Sequence, residues 1–279
     1  MTMRNYLTTV RSQRRPLRFL TSRALMASGL CRLLTIQQEG FRLRFYPSSM
    51  SATLWVAPRD RQRDEQFFRR YLRPGDIVID VGANIGTLSI IGALTVGPTG
   101  RVLAVEAHPR ISAFLRGNIA LNGLTNIEVL LCALGVRTGT AQLTDRRSDD
   151  QNRMTTDGGV EVPLRRLDDL RLPQGEISLL KIDVEGYEMP VLQGGAGVLE
   201  RTQCVYFESW ERHFSTFGYG TSDVLALLAG TGFTCLQRLD NGSLRVVPPD
   251  YRSSRCEDLL AVRSIPRFCQ RTGWAVCGR

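Results

Sequence analysis

Histidine and lysine are almost missing from this 279-residue chain: His108 and His213 are the only imidazoles, and Lys181 is the one lysine among 36 basic residues. The arginine bias reflects codon usage more than chemistry. Long hydrophobic runs are also missing. No stretch of about 18 uncharged apolar residues occurs, which argues against a membrane-spanning helix. No internal repeat is present, which excludes a solenoid, and Gly 26 and Pro 12 follow no collagen period. The seven cysteines form no C-x-x-C pair and are odd in number, so neither a disulfide framework nor a zinc site is expected. Cys132 and Cys204 sit in apolar runs, as small hydrophobes do. This usage points to a reducing cytosol and a cytoplasmic protein.

What is present suits a large core. Apolar residues make up 43% and charged residues 23%, which excludes global disorder. The net charge of +9 is unevenly placed. Residues 1–74 carry 15 Arg against 4 acids, residues 75–262 carry 17 basic against 23 acidic groups, and residues 263–279 carry 4 Arg and no acid. The body is therefore acidic between two basic ends, and no nucleic-acid partner is expected. From Pro16 onward Leu17, Leu20, Ala24, Ala27, Cys31 and Leu34 recur at steps of three and four, the apolar stripe of a helix, with Arg18, Arg23 and Arg32 outside it. An accessory helix packed on the main domain, a basic helix on an anionic membrane surface and an Arg-rich transit peptide all fit this segment. The expected organisation is a basic helical extension over 1–39, a main domain over 40–262 and a basic tail over 263–279.

Phe41, Leu43 and Phe45 alternate with Arg42 and Arg44, which predicts a half-buried strand with Thr53–Ala57 as a candidate partner. Residues 60–72 read as a helix stopped by Pro74-Gly75. Strands then alternate with helices. The strands are Ile77–Asp80, Arg101–Glu106, Ile127–Ala133, Ile177–Asp183 and Cys204–Glu208. The helices are 87–96, 110–121, 187–200 and Ser222–Gly230, the last capped by Ser222. This order predicts an α/β fold with a doubly wound, mostly parallel sheet. Ala141–Leu143 and Val160–Leu164, joined by a polar loop (Ser148, Asp149, Asp150, Gln151, Asn152), interrupt the alternation and are expected to cover the carboxyl edge of the sheet. Phe233–Leu239, the turn Asp240-Asn241-Gly242 and Leu244–Val247 predict an antiparallel hairpin, and Leu259–Val262 a last strand.

The strongest motif is Asp80-Val81-Gly82-Ala83-Asn84-Ile85-Gly86, between a buried strand and a helix. Its glycines allow a sharp turn close to a ligand, and helix N-terminal amides face the same crevice. Glu106 ends the next strand, where an acid can accept both hydroxyls of a ribose. An adenosyl cofactor follows. The paired G-x-G of a dinucleotide site is absent, and the Asp80 carboxylate would repel a pyrophosphate. A cationic cofactor such as S-adenosylmethionine suits the motif better. The alternatives are a helix cap without ligand, a nucleotide-dependent (NAD-type) oxidoreductase, and a non-catalytic module on a cofactor fold.

With DVGANIG, VEAHP, the ALG at 133–135, the LDDL at 167–170 and LLKIDVEGYEMPVLQGG, the chain resembles the FkbM-type methyltransferases over about residues 40–262. The resemblance implies a Rossmann-like class I methyltransferase with a seven-stranded sheet whose last strand is antiparallel. It implies S-adenosylmethionine as cofactor and O-methylation of a hydroxyl on a saccharide or secondary metabolite. Carried over by position, Asp80, Gly82, Ala83, Asn84 and Gly86 would line the methionine end, Glu106 would hold the ribose, and Ala133 and Leu134 would border the adenine.

Methyl transfer to oxygen needs collinear positioning and a group that takes the hydroxyl proton. Asp183 ends the fourth strand and is the first choice, as base, positioning residue or cofactor contact. Glu208 ends the fifth strand and is the second catalytic candidate. Glu185 reads equally as a dipole-favoured acid in a helix's first turn. Two carboxylates could hold a divalent metal, but no third oxygen ligand is evident and no metal is predicted. His108 reads as a loop contact. His213 reads as a base or as an ordinary surface or core histidine. Trp210, Phe214, Phe217 and Tyr219 could stack on a sugar or close the core. No amine-target signature of the Asn/Asp-Pro-Pro-Phe/Tyr type is present.

Overall fold

The structure is a computed structural model and describes residues 15–145, 152–155, 158–239 and 242–277. Residues 148–151 of the predicted polar loop, Asp240 and Asn241 of the predicted turn, residues 1–14 of the basic extension and the last two residues lie outside these. The main sheet has eight strands, numbered along the chain as β1 (Ile77–Val81), β2 (Arg101–Val105), β3 (Ile127–Leu130), β4 (Ile177–Ile182), β5 (Thr202–Ser209), β6 (Thr234–Arg238), β7 (Leu244–Val246) and β8 (Glu257–Val262). Their order across the sheet is β3-β2-β1-β4-β5-β8-β6-β7. Strands β1 to β5 are parallel. Strand β8 inserts antiparallel between β5 and β6, and β7 pairs antiparallel with β6. This is the doubly wound sheet expected from the sequence, with β7 as an eighth, three-residue edge strand.

Helices cover both faces, so the central strands are buried on both sides and read as continuous apolar runs. All six residues of β4 (ISLLKI) are buried. Its Leu179 packs in one core, with Val78 and the apolar helix Thr87–Val96. Leu180 and Ile182 pack in the other, with Ile79, Val191 and Phe207. The chain runs from β1 outward to β3, then returns to the opposite side of β1. The strand order therefore reverses between β1 and β4, and a crevice opens outside their carboxyl ends.

Several local expectations need correction. Residues Ser49–Val56 form a helix, not a strand, because the Ser48 side chain caps it by accepting from the Ser51 N–H at 3.0 Å. The strand Arg42–Arg44 pairs instead with Thr35–Gln37. The predicted strand Ile127–Ala133 ends at Leu130, and Ala133–Leu134 joins a separate four-stranded sheet with Val160–Arg165, Gly139–Leu143 and Met154–Thr155. The helix predicted over 187–200 is two short ones, Glu188–Gln193 and Ala196–Glu200, broken at Gly194-Gly195, where Gly194 sits against the Gly135 carbonyl. The later helix is Thr221–Gly230; its Asp223 carboxylate, not Ser222, accepts the Gly220 N–H at 2.8 Å.

The two chain ends also differ from expectation. Helix Pro16–Ser28 turns Ser22 and the half-buried Phe19, Leu25 and Met26 inward. Most of the predicted stripe faces outward, with Leu17 78% and Leu20 39% exposed. Residues 263–277 are packed on the main domain. Helix Ile265–Thr272 and Trp274 put Phe268 and Trp274 into the core beside Phe67, and Arg271 pairs with Asp76 at 2.7 Å. No helix among the described residues is long and apolar enough to cross a membrane. All seven cysteines are free thiols, and Cys31, Cys132, Cys204 and Cys235 are buried.

Candidate active site

A cavity of about 490 Å³ opens at the carboxyl rim of β1, β2, β4 and β5 and is partly walled by the small sheet through Leu143, Arg153 and Met154. Every predicted site residue except Gly86 lines it. Gly86 caps the helix that starts at Thr87.

The turn after β1 is built from the backbone. Gly82 has φ +75°, and a Cβ there would stand 1.8 Å from the Asp183 carbonyl oxygen. Glycine is thus required for close packing on the turn after β4. A Cβ at Gly86 would meet Leu115 at 2.4 Å. Asn84 adopts φ 50°, and its side-chain oxygen accepts the Ile85 N–H at 2.7 Å.

Glu106 ties this turn to β2. Its two oxygens accept the N–H groups of Asn84 and His108, each at 2.8 Å. A carboxylate has about four acceptor positions, so about two remain for the adjacent hydroxyls of a ribose. Burial pushes its carboxyl up to about 7, against the pull of the same N–H groups. His108 caps the helix Pro109–Leu121 through Nδ1 and meets Asp145 at 3.2 Å. This matches a loop contact rather than a catalytic group.

Asp80 is fully buried and internally partnered. Ser89 Oγ donates to it at 2.5 Å, and Lys181 Nζ stands 3.1 Å away. The Lys181 ammonium also donates to the carbonyls of Val81 and Gly82, at 3.2 and 2.8 Å, and lies 3.7 Å from Asp183. Burial pulls Lys181 down, but Asp80 and Asp183 outweigh it, so its pKa is raised. Asp183 meets Arg61 at 3.5 Å. Burial would raise its carboxyl, but Lys181 and Arg61 hold it below the ordinary carboxylate range. Lys181 and Arg61 were missed at the level of sequence. The available signal was a lone lysine in a strand read as buried, since a buried ammonium must be paired.

The far end of the cavity is built from side chains. Glu185 has φ 57° in the turn after β4, Glu208 is the next-to-last residue of β5, and His213 lies on the short helix Glu211–Ser215. His213 Nδ1 stands 3.4 Å from Glu208 and 3.7 Å from Glu185. The turn that carries Glu185 is pinned by Glu188, whose Oε1 accepts from Val184 and Gly186. Burial pushes Glu188 up to about 8, the Val184 N–H opposes this, and the charge of Glu208 adds to it. Trp210 tilts over His213, with ring centroids 4.4 Å apart. Phe214 is core, stacked on Tyr219.

Among the described residues the cavity lining holds six carboxyl side chains against three basic ones. A net-negative cleft beside a Gly-turn and a ribose-type acid fits a cationic adenosyl compound and not a pyrophosphate.

Residues 80–235 match the family model described as the methyltransferase FkbM domain. The chain is 32% identical over 211 residues to methyltransferase sdnD of Sordaria araneosa, which covers 62% of this chain and 81% of that protein. It is 28% identical over 205 residues to the 31-O-demethyl-FK506 methyltransferase FkbM of Streptomyces tacrolimicus, covering 61% and 76% of the two chains. It is 26% identical over 158 residues to the 2-O-methyltransferase NoeI of Sinorhizobium fredii, covering 49% and 64%.

Proposed function

Because the chain belongs to the FkbM methyltransferase domain family and is an S-adenosylmethionine-dependent methyltransferase, we propose that it methylates a hydroxyl oxygen of a small molecule or glycan. S-adenosylmethionine supplies a methyl group on a cationic sulfur, which leaves as a neutral thioether once an oxygen lone pair takes the methyl. Glu106 holds the ribose through its remaining acceptor positions. Ala133 and Leu134 flank the adenine. The turn Gly82–Gly86 shapes the methionine end. Asp80 acts indirectly, by fixing Lys181 and through it Asp183.

Asp183 stays ionised and faces the sulfonium, where a second fixed charge from Lys181 keeps it in position. A carboxyl held below its ordinary range is a poor proton acceptor at neutral pH. Glu208 is the better assignment for the hydroxyl proton, at the end of the cavity that receives the acceptor. The observation that carries this reading is the convergence of Glu106, Asp183 and Glu208 on one acidic cavity at the strand-order reversal. The acceptors named for NoeI and FkbM favour oxygen over nitrogen as the target. The functional unit extends past 262, since the helix Ile265–Thr272 packs beside Phe67.

Calorimetric titration tests the reading. S-adenosylmethionine is expected to bind the wild type and NAD is not. Glu106→Ala is expected to weaken the methyl donor at least tenfold. Binding unchanged in that variant would remove the ribose assignment. A membrane contact is also proposed for the helix Pro16–Ser28, whose Leu17 and Leu20 are exposed beside Arg15, Arg18 and Arg23. Sedimentation with anionic vesicles, lost in Leu17→Ser/Leu20→Ser, checks it.

A further inference from the structure

We propose that Glu185, Glu208 and His213 bind a divalent first-row transition cation that holds the acceptor hydroxyl. This deepens the functional reading above and rests on its placing the acceptor at that end of the cavity. One donor atom from each residue lies within 4.8 Å of the other two. The three groups come from three separate elements, all line the cavity, and all are partly shielded from water.

The separations decide between an ordinary hydrogen bond and a coordination site. His213 Nδ1 lies 3.4 Å from Glu208 Oε2 and 3.7 Å from Glu185 Oε2. A good N–H···O bond spans about 2.7–3.2 Å, so the contact with Glu208 is a long hydrogen bond and the approach to Glu185 falls outside that range. A cation about 2.1 Å from each of three donors in near-tetrahedral array sets the donors roughly 3.4 Å apart. The two separations from His213 match this within a few tenths of an ångström, and the two carboxylate oxygens lie within 4.8 Å of each other. Without a cation, two carboxylates converge on one ring nitrogen. With one, their charge is matched. The arrangement is also held in advance: a Cβ at Gly186 would lie 2.8 Å from the His213 carbonyl oxygen, so the turn carrying Glu185 is packed directly on the His213 backbone.

Two carboxylates and an imidazole suit Mn²⁺ or Zn²⁺ better than an all-oxygen cation such as Mg²⁺. Three protein ligands leave at least one position open, the pattern of a catalytic rather than a structural site. The acceptor hydroxyl takes that position. The cation lowers its pKa, and its proton passes to the Glu208 oxygen that does not hold the metal. This solves a chemical difficulty of the site: an alcohol is a far weaker acid than a carboxyl group, so a carboxylate alone is a poor match for its proton.

The test uses the full chain stripped of metal by chelation. Mn²⁺ is titrated in, and the free ion is followed by electron paramagnetic resonance. About one equivalent is expected to bind. Glu185→Gln and His213→Ala are each expected to weaken binding at least tenfold, while the surface variant Glu161→Gln leaves it unchanged. Both variants are used so that one misfolded protein does not decide the matter, and thermal unfolding checks each. Zn²⁺ should displace Mn²⁺ competitively. S-adenosylmethionine affinity in the two variants should stay within about threefold of wild type, which separates this site from the cofactor assignment. Failure of the methyl donor to bind wild type would overturn the functional reading and, with it, the role given to the cation. Wild-type protein that takes up no Mn²⁺ below millimolar concentration, or variants that bind as wild type does, would overturn the metal site itself.

Discussion

The two halves of the catalytic rim are made differently. Around β1 and β2 the site is backbone: a glycine turn, amide groups and one acid whose oxygens accept those amides. Around β4 and β5 it is side chain: Asp183, Glu185, Glu208 and His213, brought together from the ends of separate elements. The first half is preorganised to receive a constant ligand. The second is built from charged side chains that line the cavity. The packing of Gly82 on the Asp183 carbonyl and the Asp183 N–H bond to the Val81 carbonyl at 3.1 Å join them, and one charge, Lys181, serves both.

Breaking the joint should give the largest effect. Gly82→Ala places a Cβ within 1.8 Å of a backbone oxygen, at φ +75°. No flexible side chain can yield there, so the turns must separate, at a cost of about 3 kcal/mol or more. Both cofactor affinity and methyl transfer should fall by at least a hundredfold. Gly123→Ala is the control. It has a similar φ of +64° but nothing within 4 Å, so strain alone should cost about 1 kcal/mol and leave affinity intact. Thermal unfolding and calorimetry measure both. Similar losses in the two variants would show that backbone strain, not the joint, explains the effect.

Removing the shared charge comes next. Lys181→Met leaves Asp80 and Asp183 facing each other in a buried site, and breaking such a pair by deleting one partner costs about 3–5 kcal/mol. Adding Asp80→Asn should restore part of this, because the uncompensated charge is then gone. No recovery in the double variant would mean that Lys181 acts through the carbonyls of Val81 and Gly82 alone.

These two halves also explain what could be read without coordinates. The doubly wound sheet follows from local patterns in consecutive residues, and the glycine turn and Glu106 line the crevice at its carboxyl rim. The Glu185–Glu208–His213 group was not legible, because its members are 23 and 5 residues apart and their meeting depends on the packing of Gly186 on the His213 backbone. The stripe at Leu17, Leu20, Ala24 and Ala27 is real as a pattern, but periodicity gives an apolar face without saying what covers it. Lys181 is the chain's one lysine, and a charge inside β4 demands partners that lie far away in sequence.

Within the side-chain half, Asp183→Asn keeps shape and removes charge. Cofactor affinity should fall by about tenfold, because the carboxylate that faces the cationic sulfur loses its charge, while kcat changes less, since that positive charge fades in the transition state. Steady-state kinetics and calorimetry separate the two. A large loss of kcat with unchanged cofactor affinity would move Asp183 from the binding end to the reacting end.

The smallest effect is a matter of pH and belongs to the backbone half. The Glu106 carboxyl is raised by burial to about 7, so in the free protein a sizeable fraction is neutral at physiological pH. The group contributes its stability below the ordinary range of a glutamate and loses it as pH rises through about 7, because the folded state holds a proton that the unfolded chain has released. Cofactor binding should run the opposite way. Ribose hydroxyls donate to the ionised form, so S-adenosylmethionine affinity should rise with pH, by about tenfold between pH 6 and pH 8. Glu106→Gln cannot titrate and should give weaker binding that is flat across this range. Calorimetry of both proteins at several pH values decides it. A wild-type profile as flat as the variant's would mean that Glu106 is already ionised before the cofactor arrives. The backbone half would then be as fully charged as the side-chain half it faces.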